Sequence, residues 1–211
     1  MKITLIGSGN MGSGLAKQFA RAGHQVAILA RDRAKAEELA RQTGSGLYAG
    51  DAPAGETDIV VVATAYDNAV EALQQLGDLS GKTVFDITNP LTPDYMGLTL
   101  GYSTSAAEEI AGAFPGANVV KAFNTLFAQV LQEGPDFGAG QVVPVFYAGD
   151  NDGAKQAVKA LIESTGFTAV DAGPLKNARY LEPLAGLNIY FGYGAGLGTA
   201  ITPAWISKAT A

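Results

Sequence analysis

The chain has 211 residues, 47% of them apolar, which bounds it to one domain, or one domain with a small appendage, around a sizeable core. A formal charge of −6 argues against nucleic acid and against an anionic membrane surface as partners. With no cysteine and a single histidine, disulfides, thiolate metal sites and a cysteine nucleophile are excluded, and no metal site is expected.

The stretch from Lys2 to Arg31 organises the rest. Ile3 to Ile6 reads as a buried strand, and Gly7, Gly9 and Gly12 give the spacing G-x-G-x-x-G. Met11, Leu15, Phe19 and Ala22 form one face of a helix, and Val26 to Ala30 reads as a second strand. Strand, glycine turn, helix and strand within about thirty residues is the size of a βαβ unit. Gly7 permits the tight turn, Gly9 lets the backbone approach a pyrophosphate, and Gly12 lets the helix pack close to the strand. The free N–H groups of the helix start then face the phosphates. The expected dinucleotide contacts here are Gly7, Ser8, Gly9, Asn10, Met11 and Gly12. The alternative is a glycine-rich turn that binds nothing.

The end of the second strand selects the nucleotide. An NAD enzyme usually carries Asp or Glu there for the ribose 2′-OH. This chain has Ala30 at about that place, then Arg31, Asp32 and Arg33, with Lys35 one turn on. Guanidinium groups grip a 2′-phosphate with paired hydrogen bonds, which favours NADP(H) over NAD. Asp32 keeps NAD open and equally suits the N-cap of the next helix, in which case Arg31 and Arg33 are a solvated helix start.

A helix follows over Arg33 to Gln42, and Leu47 to Ala49 reads as a short third strand. Asp58 to Ala63 is nearly all apolar and β-branched, as in a strand covered on both faces. Ligands of open α/β sheets sit beyond the carboxyl ends of strands, so Ala63, Thr64, Ala65 and Tyr66 are expected to face the cofactor. Asp67 is expected to cap a helix reaching about Leu76. Lys82 to Ile87 is the next strand, and Asn89 and Pro90 beyond it join the expected cofactor contacts. Leu91 to Ser105 has no clear period and reads as a loop over the active site, with Tyr102, Ser103 and Thr104 within reach of a second ring. Ser105 to Ala113 reads as a helix and Asn118 to Ala122 as a strand, which places Ala122 and Phe123 at the cofactor.

Gln129 to Gln141 reads as helix end and loop. Val142 to Ala148 is a strand broken by Pro144, expected at an edge or starting late. Asn151 or Asp152 caps a helix over Ala154 to Ser164, Thr168 to Val170 is a short strand, and Lys176 to about Leu197 reads as helical. The alternation predicts an α/β, Rossmann-type, doubly wound and mostly parallel sheet with a small C-terminal helical extension. The expected division is 1–148 as the nucleotide domain and 149–211 as a smaller part packed on it, or one continuous domain. Pro183 to Ser207 carries no charge, but its five glycines and Pro203 favour a buried or subunit-facing helix over a membrane span. Met1 lies two residues before the first strand with no leader pattern ahead of it, which predicts a cytoplasmic protein.

The strings IGSGNMGSGLA (Ile6 to Ala16), VVKAFNT (Val119 to Thr125) and DAGPLKNAR (Asp171 to Arg179) make the chain resemble the NADPH-dependent reductases of the deazaflavin coenzyme F420. It is also similar to the cytosolic reductase domain of the STEAP metalloreductases. The resemblance covers Met1 to about Leu197. It implies hydride transfer between NADP(H) and a flavin or deazaflavin, with ferric or other acceptors reduced downstream, and a homodimer through the C-terminal region. The deazaflavin reductases tend to carry His where this chain has Asn124, whereas the STEAP domains share K-A-F-N-T, which moves the expected second cofactor from F420 towards FMN or FAD.

Such a reaction asks little of side chains, because the cofactors carry the chemistry. His24 sits at the far end of the first helix and reads as structural. The candidate catalytic residues are Asn124, expected at the nicotinamide or flavin edge, and Lys121, which in an alternative reading acts as an acid on a small carbonyl, imine or hydroxy-acid substrate. Lys121 in a structural ion pair, and a non-enzymatic NADP(H) sensor, are the competing readings.

Overall fold

The computed structural model describes residues 1–48 and 56–208. Among them, strands β1 (Lys2–Ile6), β2 (Gln25–Leu29), β3 (Gly46–Leu47), β4 (Ile59–Val62), β5 (Thr83–Asp86), β6 (Asn118–Ala122), β7 (Pro144–Gly149) and β8 (Thr168–Asp171) form one sheet in the order β3-β2-β1-β4-β5-β6-β7-β8. The pairs from β3 to β6 are parallel, β7 runs antiparallel to β6, and β8 is parallel to β7. This is the doubly wound α/β arrangement expected, with strand order reversing between β1 and β4, where such sheets open a ligand crevice.

The strands are buried because helices cover both faces. On one side α1 (Asn10–Arg21), α2 (Arg33–Thr43), α5 (Ala128–Glu133) and α6 (Asp152–Ser164) supply Leu15, Phe19, Leu39, Leu131, Val158 and Leu161 to the larger core. On the other, α3 (Ala69–Gln74), α4 (Ala106–Ala113) and α7 (Ala178–Ile189) supply Leu73, Ile110 and Ala178. All four residues of β4 are buried, which accounts for its unbroken apolar run. The helix starts follow capping chemistry: Asp32, Ser105 and Asn151 each accept a backbone N–H from the first turn of α2, α4 and α6.

Several expectations change. The third strand is Gly46–Leu47, and Ala49 lies outside the described residues. The helix expected from Asp67 begins instead with a 3₁₀ turn, Tyr66–Asn68, and α3 is only six residues long; neither element has a side-chain cap bond among the described residues. Pro144 is the first residue of β7, where its missing N–H costs no ladder bond, but β7 is interior and β8 takes the edge. The helix expected over Lys176 to Leu197 is α7 flanked by a 3₁₀ turn, Leu175–Asn177, and a π-helical turn, Tyr190–Gly194. A border at 148/149 falls within β7, whose partners β6 and β8 lie on either side of it. Among the described residues no helix is long and apolar enough to cross a membrane.

Candidate functional site

The glycine turn after β1 divides its labour as its spacing predicts. Gly7 has φ +116°, and a Cβ there would lie 2.4 Å from the Ala63 carbonyl oxygen, so β4 packs against the turn. A Cβ on Gly12 would lie 2.2 Å from the Gly7 carbonyl oxygen. Only hydrogen fits at either place. Gly9 is different: nothing lies within 4 Å of its Cβ position, and it is exposed. It is the N-cap of α1 and its side chain offers no capping atom. The N–H groups of the first turn therefore point at open space with the positive end of the helix dipole behind them. Asn10 is exposed, while Ser8 and Met11 are half-buried beside the turn.

Beyond β2, the three charged residues behave differently. The Asp32 carboxylate accepts the Lys35 N–H at 3.1 Å and lies 3.6 Å from the Lys35 ammonium, so it is engaged at the start of α2. Arg33 pairs with Glu37 at 2.9 Å one turn on. Arg31 is exposed with no ion pair or hydrogen bond among the described residues. An unpaired guanidinium thus stands beside a carboxylate already committed to capping.

On the other half of the crevice, Ala63, Thr64, Ala65 and Tyr66 follow β4 at partly or fully exposed positions. Burial pushes the Tyr66 phenol up, and the nearby Glu109, Glu182, Asp67 and Asp86 push it further, so it stays protonated and can donate. Asn89 is half-buried and Pro90 buried beyond β5.

The end of β6 departs from expectation. Lys121 is fully buried. Its ammonium lies 2.6 Å from Asp86 Oδ2 and 2.8 Å from Glu182 Oε1, and donates to the Thr88 carbonyl at 2.6 Å. Burial alone would push this ammonium down, but Asp86 and Glu182 outweigh it and its pKa is raised. Three oxygens lie within 2.8 Å of this fully buried ammonium, which leaves no open side for a substrate. Lys121 is therefore the centre of a structural ion cluster, and its assignment as a catalytic acid is corrected. Glu182 also accepts the N–H groups of Ala106 and Ala107 at 2.9 and 3.2 Å, which ties α7 to the start of α4.

Ala122 and Phe123, expected to touch the cofactor, have no exposed surface. Phe123 has φ +58°, and its ring lies 5.5 Å from those of both Phe85 and Phe167. A bulky residue in the left-handed region costs about 1–2 kcal/mol, here offset by aromatic burial in the core. The turn so made places Asn124, 3% exposed, with its Nδ2 donating to Asn89 Oδ1 at 2.9 Å and to the Leu181 carbonyl at 3.0 Å. The Asn124 carboxamide thus clasps three chain segments, and its carbonyl oxygen Oδ1 has no partner among the described residues.

The cluster partners Asp86 and Glu182 were missed in the sequence. Their signal was a carboxylate in each of two apolar stretches, T-V-F-D and L-E-P-L, alongside the lysine of V-V-K-A. The loop expected over the site, 91–105, is held down on α7: Arg179 makes two hydrogen bonds to Glu108, at 2.8 and 2.7 Å, and reaches the Tyr102 carbonyl. Tyr102 itself is fully exposed, turned to solvent.

Comparison with known proteins agrees with this geometry. Residues 2–90 match the family described as NADP oxidoreductase coenzyme F420-dependent. The F420-dependent NADP reductase of Methanothermobacter thermautotrophicus (strain Delta H) is 31% identical, over 90% of this chain and 88% of that protein. Metalloreductase STEAP3 of Rattus norvegicus is 30% identical over 87% of this chain, but this chain spans only about a third of its length, 36%. A crystal structure from Arthrobacter sp. FB24, provisionally assigned as an F420-dependent NADP reductase, superposes with a TM-score of 0.81 at 32% identity, covering 95% of this chain and 96% of that one.

Proposed function

From the premise that this chain belongs to the F420-dependent NADP reductase family and is an NADP-dependent oxidoreductase, we propose that it moves hydride between NADP(H) and a flavin or deazaflavin. The observation that carries the reading is the pairing of an open glycine cradle at Gly9 with Arg31, just past β2, which has no ion pair among the described residues. The cradle and the start of α1 fit a pyrophosphate, and Arg31 fits a 2′-phosphate. Asp32 is occupied as a cap, which weakens the case for a bare ribose 2′-OH.

The nicotinamide half would lie towards Ala63 to Tyr66 and Asn89, the groups beyond β4 and β5 that remain partly open. When bound, the nicotinamide supplies the hydride. The residues of this chain bind, orient and exclude water: the first turn of α1 holds the phosphates, Tyr66 offers a protonated phenol, and the loop 91–105 roofs the crevice. With Lys121 sealed in its ion cluster, direct reduction of a small carbonyl or imine through that residue loses its support. The second substrate is proposed as FMN, FAD or F420, with ferric or other acceptors reduced downstream as in the metalloreductase reading.

The test is oxidation of NADPH and NADH followed at 340 nm with FMN, FAD and F420 as separate acceptors. Turnover with NADPH and one of them supports the proposal. Tight NADPH binding without turnover on any acceptor overturns it in favour of a nucleotide sensor.

A further inference from the structure

Two carboxylates share one ammonium in the interior beside the crevice. Asp86, the last residue of β5, stands in register with Lys121 of β6 on one side and with Val62, the last residue of β4, on the other. Adjacent strands lie about 4.8 Å apart, so the cluster is level with the point where Ala63 to Tyr66 leave the sheet. Asp86 Oδ1 accepts the Thr88 N–H at 2.8 Å, and Lys121 donates to the Thr88 carbonyl, which ties the cluster to the turn that carries Asn89. Glu182 completes it from α7.

The charges of this cluster do not balance. Each carboxylate meets donors: the Thr88 N–H and the ammonium for Asp86, the Ala106 and Ala107 N–H groups and the same ammonium for Glu182. No second cation pairs with either acid among the described residues, so one negative charge is unmatched. The start of α4 offsets about half of it. The three side chains are 0–2% exposed, so dissolved salt screens them weakly. Their field reaches the crevice: the Tyr66 phenol, pushed up first by burial, is pushed further by Glu109, Glu182, Asp67 and Asp86. The opposite end of the crevice has the opposite sign, with the open first turn of α1 and Arg31.

We propose that the Asp86–Lys121–Glu182 cluster selects the redox state of the coenzyme: its unmatched negative charge makes the crevice hold the oxidised, positively charged nicotinamide more tightly than the reduced, neutral one. This rests on the nicotinamide lying towards Ala63 to Tyr66, as in the proposed function. A crevice that is positive at its phosphate end and negative at its ring end matches the charge pattern of NADP+ better than that of NADPH. Transfer of hydride, a proton with two electrons, to the flavin or deazaflavin leaves the positive charge on the ring, so the same field favours donation over uptake. Neither carboxylate touches the coenzyme; both act through space, behind Thr88 and Asn89.

The test is calorimetric titration of the full chain with NADP+ and with NADPH, at low salt and at about 0.5 M salt. A unit charge about 10 Å away, at an effective dielectric of about 20, shifts an equilibrium about tenfold. With part of the charge offset by α4, the wild type should bind NADP+ about 4- to 10-fold more tightly than NADPH. The phosphates are common to both forms and cancel from the ratio, so the preference should survive the added salt. A preference that vanishes with salt would belong to the exposed Asp67 and Glu109, and a wild type that prefers NADPH has no such selector; either result overturns the proposal. Glu182→Gln leaves one acid facing one ammonium and should bring the ratio to one or below. Parallel losses for the two forms, which a merely structural role would give, overturn the proposal as well. If Glu182→Gln fails to fold, Asp86→Asn removes the same charge from β5, and the wild-type ratio with its salt dependence decides the matter without either variant. The titrations need no acceptor, so a protein that turns over no flavin refutes the proposed reaction and leaves the selector to be judged on the ratio alone.

Discussion

Asn124 and Asn89 exchange hydrogen bonds: Asn124 Nδ2 donates to Asn89 Oδ1 at 2.9 Å, and Asn89 Nδ2 donates to the Asn124 carbonyl at 2.8 Å. The turns after β5 and β6 are thereby locked together at the carboxyl edge of the sheet. Asn89→Ala leaves a buried donor and a buried acceptor of Asn124 with one partner fewer, which should cost about 1–3 kcal/mol. The check is denaturant unfolding of the variant beside the wild type; an unchanged midpoint would mean that the clasp contributes nothing.

Lys121→Met should be among the most destabilising single changes in the chain. It strands Asp86 and Glu182 as buried carboxylates, at a cost of about 3–5 kcal/mol. Combining it with Asp86→Asn and Glu182→Gln should recover part of that loss, because the uncompensated charge is gone. Thermal unfolding of the single and triple variants decides the point, and equal Tm values for the two would refute it.

Arg31→Ala should raise the Kd for NADPH by about 10- to 100-fold, the loss of about 1.5–3 kcal/mol of charge-assisted hydrogen bonding, and leave NADH nearly unchanged. Titrating each nucleotide by its fluorescence gives the ratio. Parallel losses for both would place the guanidinium away from the 2′-phosphate.

Gly12→Ala and Gly9→Ala should separate stability from binding. The first drives a methyl into the Gly7 carbonyl and should cost about 1–3 kcal/mol in stability. The second meets no protein atom within 4 Å, so Tm should hold while dinucleotide affinity falls. A Gly9→Ala variant that binds NADPH normally would show that the pyrophosphate does not approach there.

The Arg179 hydrogen bonds hold the Glu108 carboxyl below its ordinary range; burial opposes this, and Ser105 adds to the lowering. A depressed folded value means that the unfolded chain binds the proton more readily. This contribution is therefore complete above the unfolded pKa, about 4.3, and is lost as pH falls through the lower folded value. The Tm difference between wild type and Glu108→Gln should be constant near neutrality and shrink under acid. A difference that grows as pH falls would contradict the assignment.

The nucleotide half was legible because its signals are local. Gly7, Gly9 and Gly12 are read from spacing alone, and Asp32 as a cap from its place before α2. The end of β6 was not legible, because its logic is long-range: Lys121 finds Asp86 and Glu182 across 35 and 61 residues of chain. A lysine beside a strand end looks the same in sequence whether it faces a crevice or a pair of carboxylates. The antiparallel turn into β7 was equally silent, since an apolar run carries no direction.

Helices α1 and α4 both begin beyond the carboxyl ends of strands, and the first-turn N–H groups of a helix attract an anion. At α4 the place is filled from within by the Glu182 carboxylate; at α1 no side chain fills it. At α4 the chain has supplied its own anion. On the proposed function, a pyrophosphate meets competition from Glu182 at α4 and from no capping side chain at α1 among the described residues.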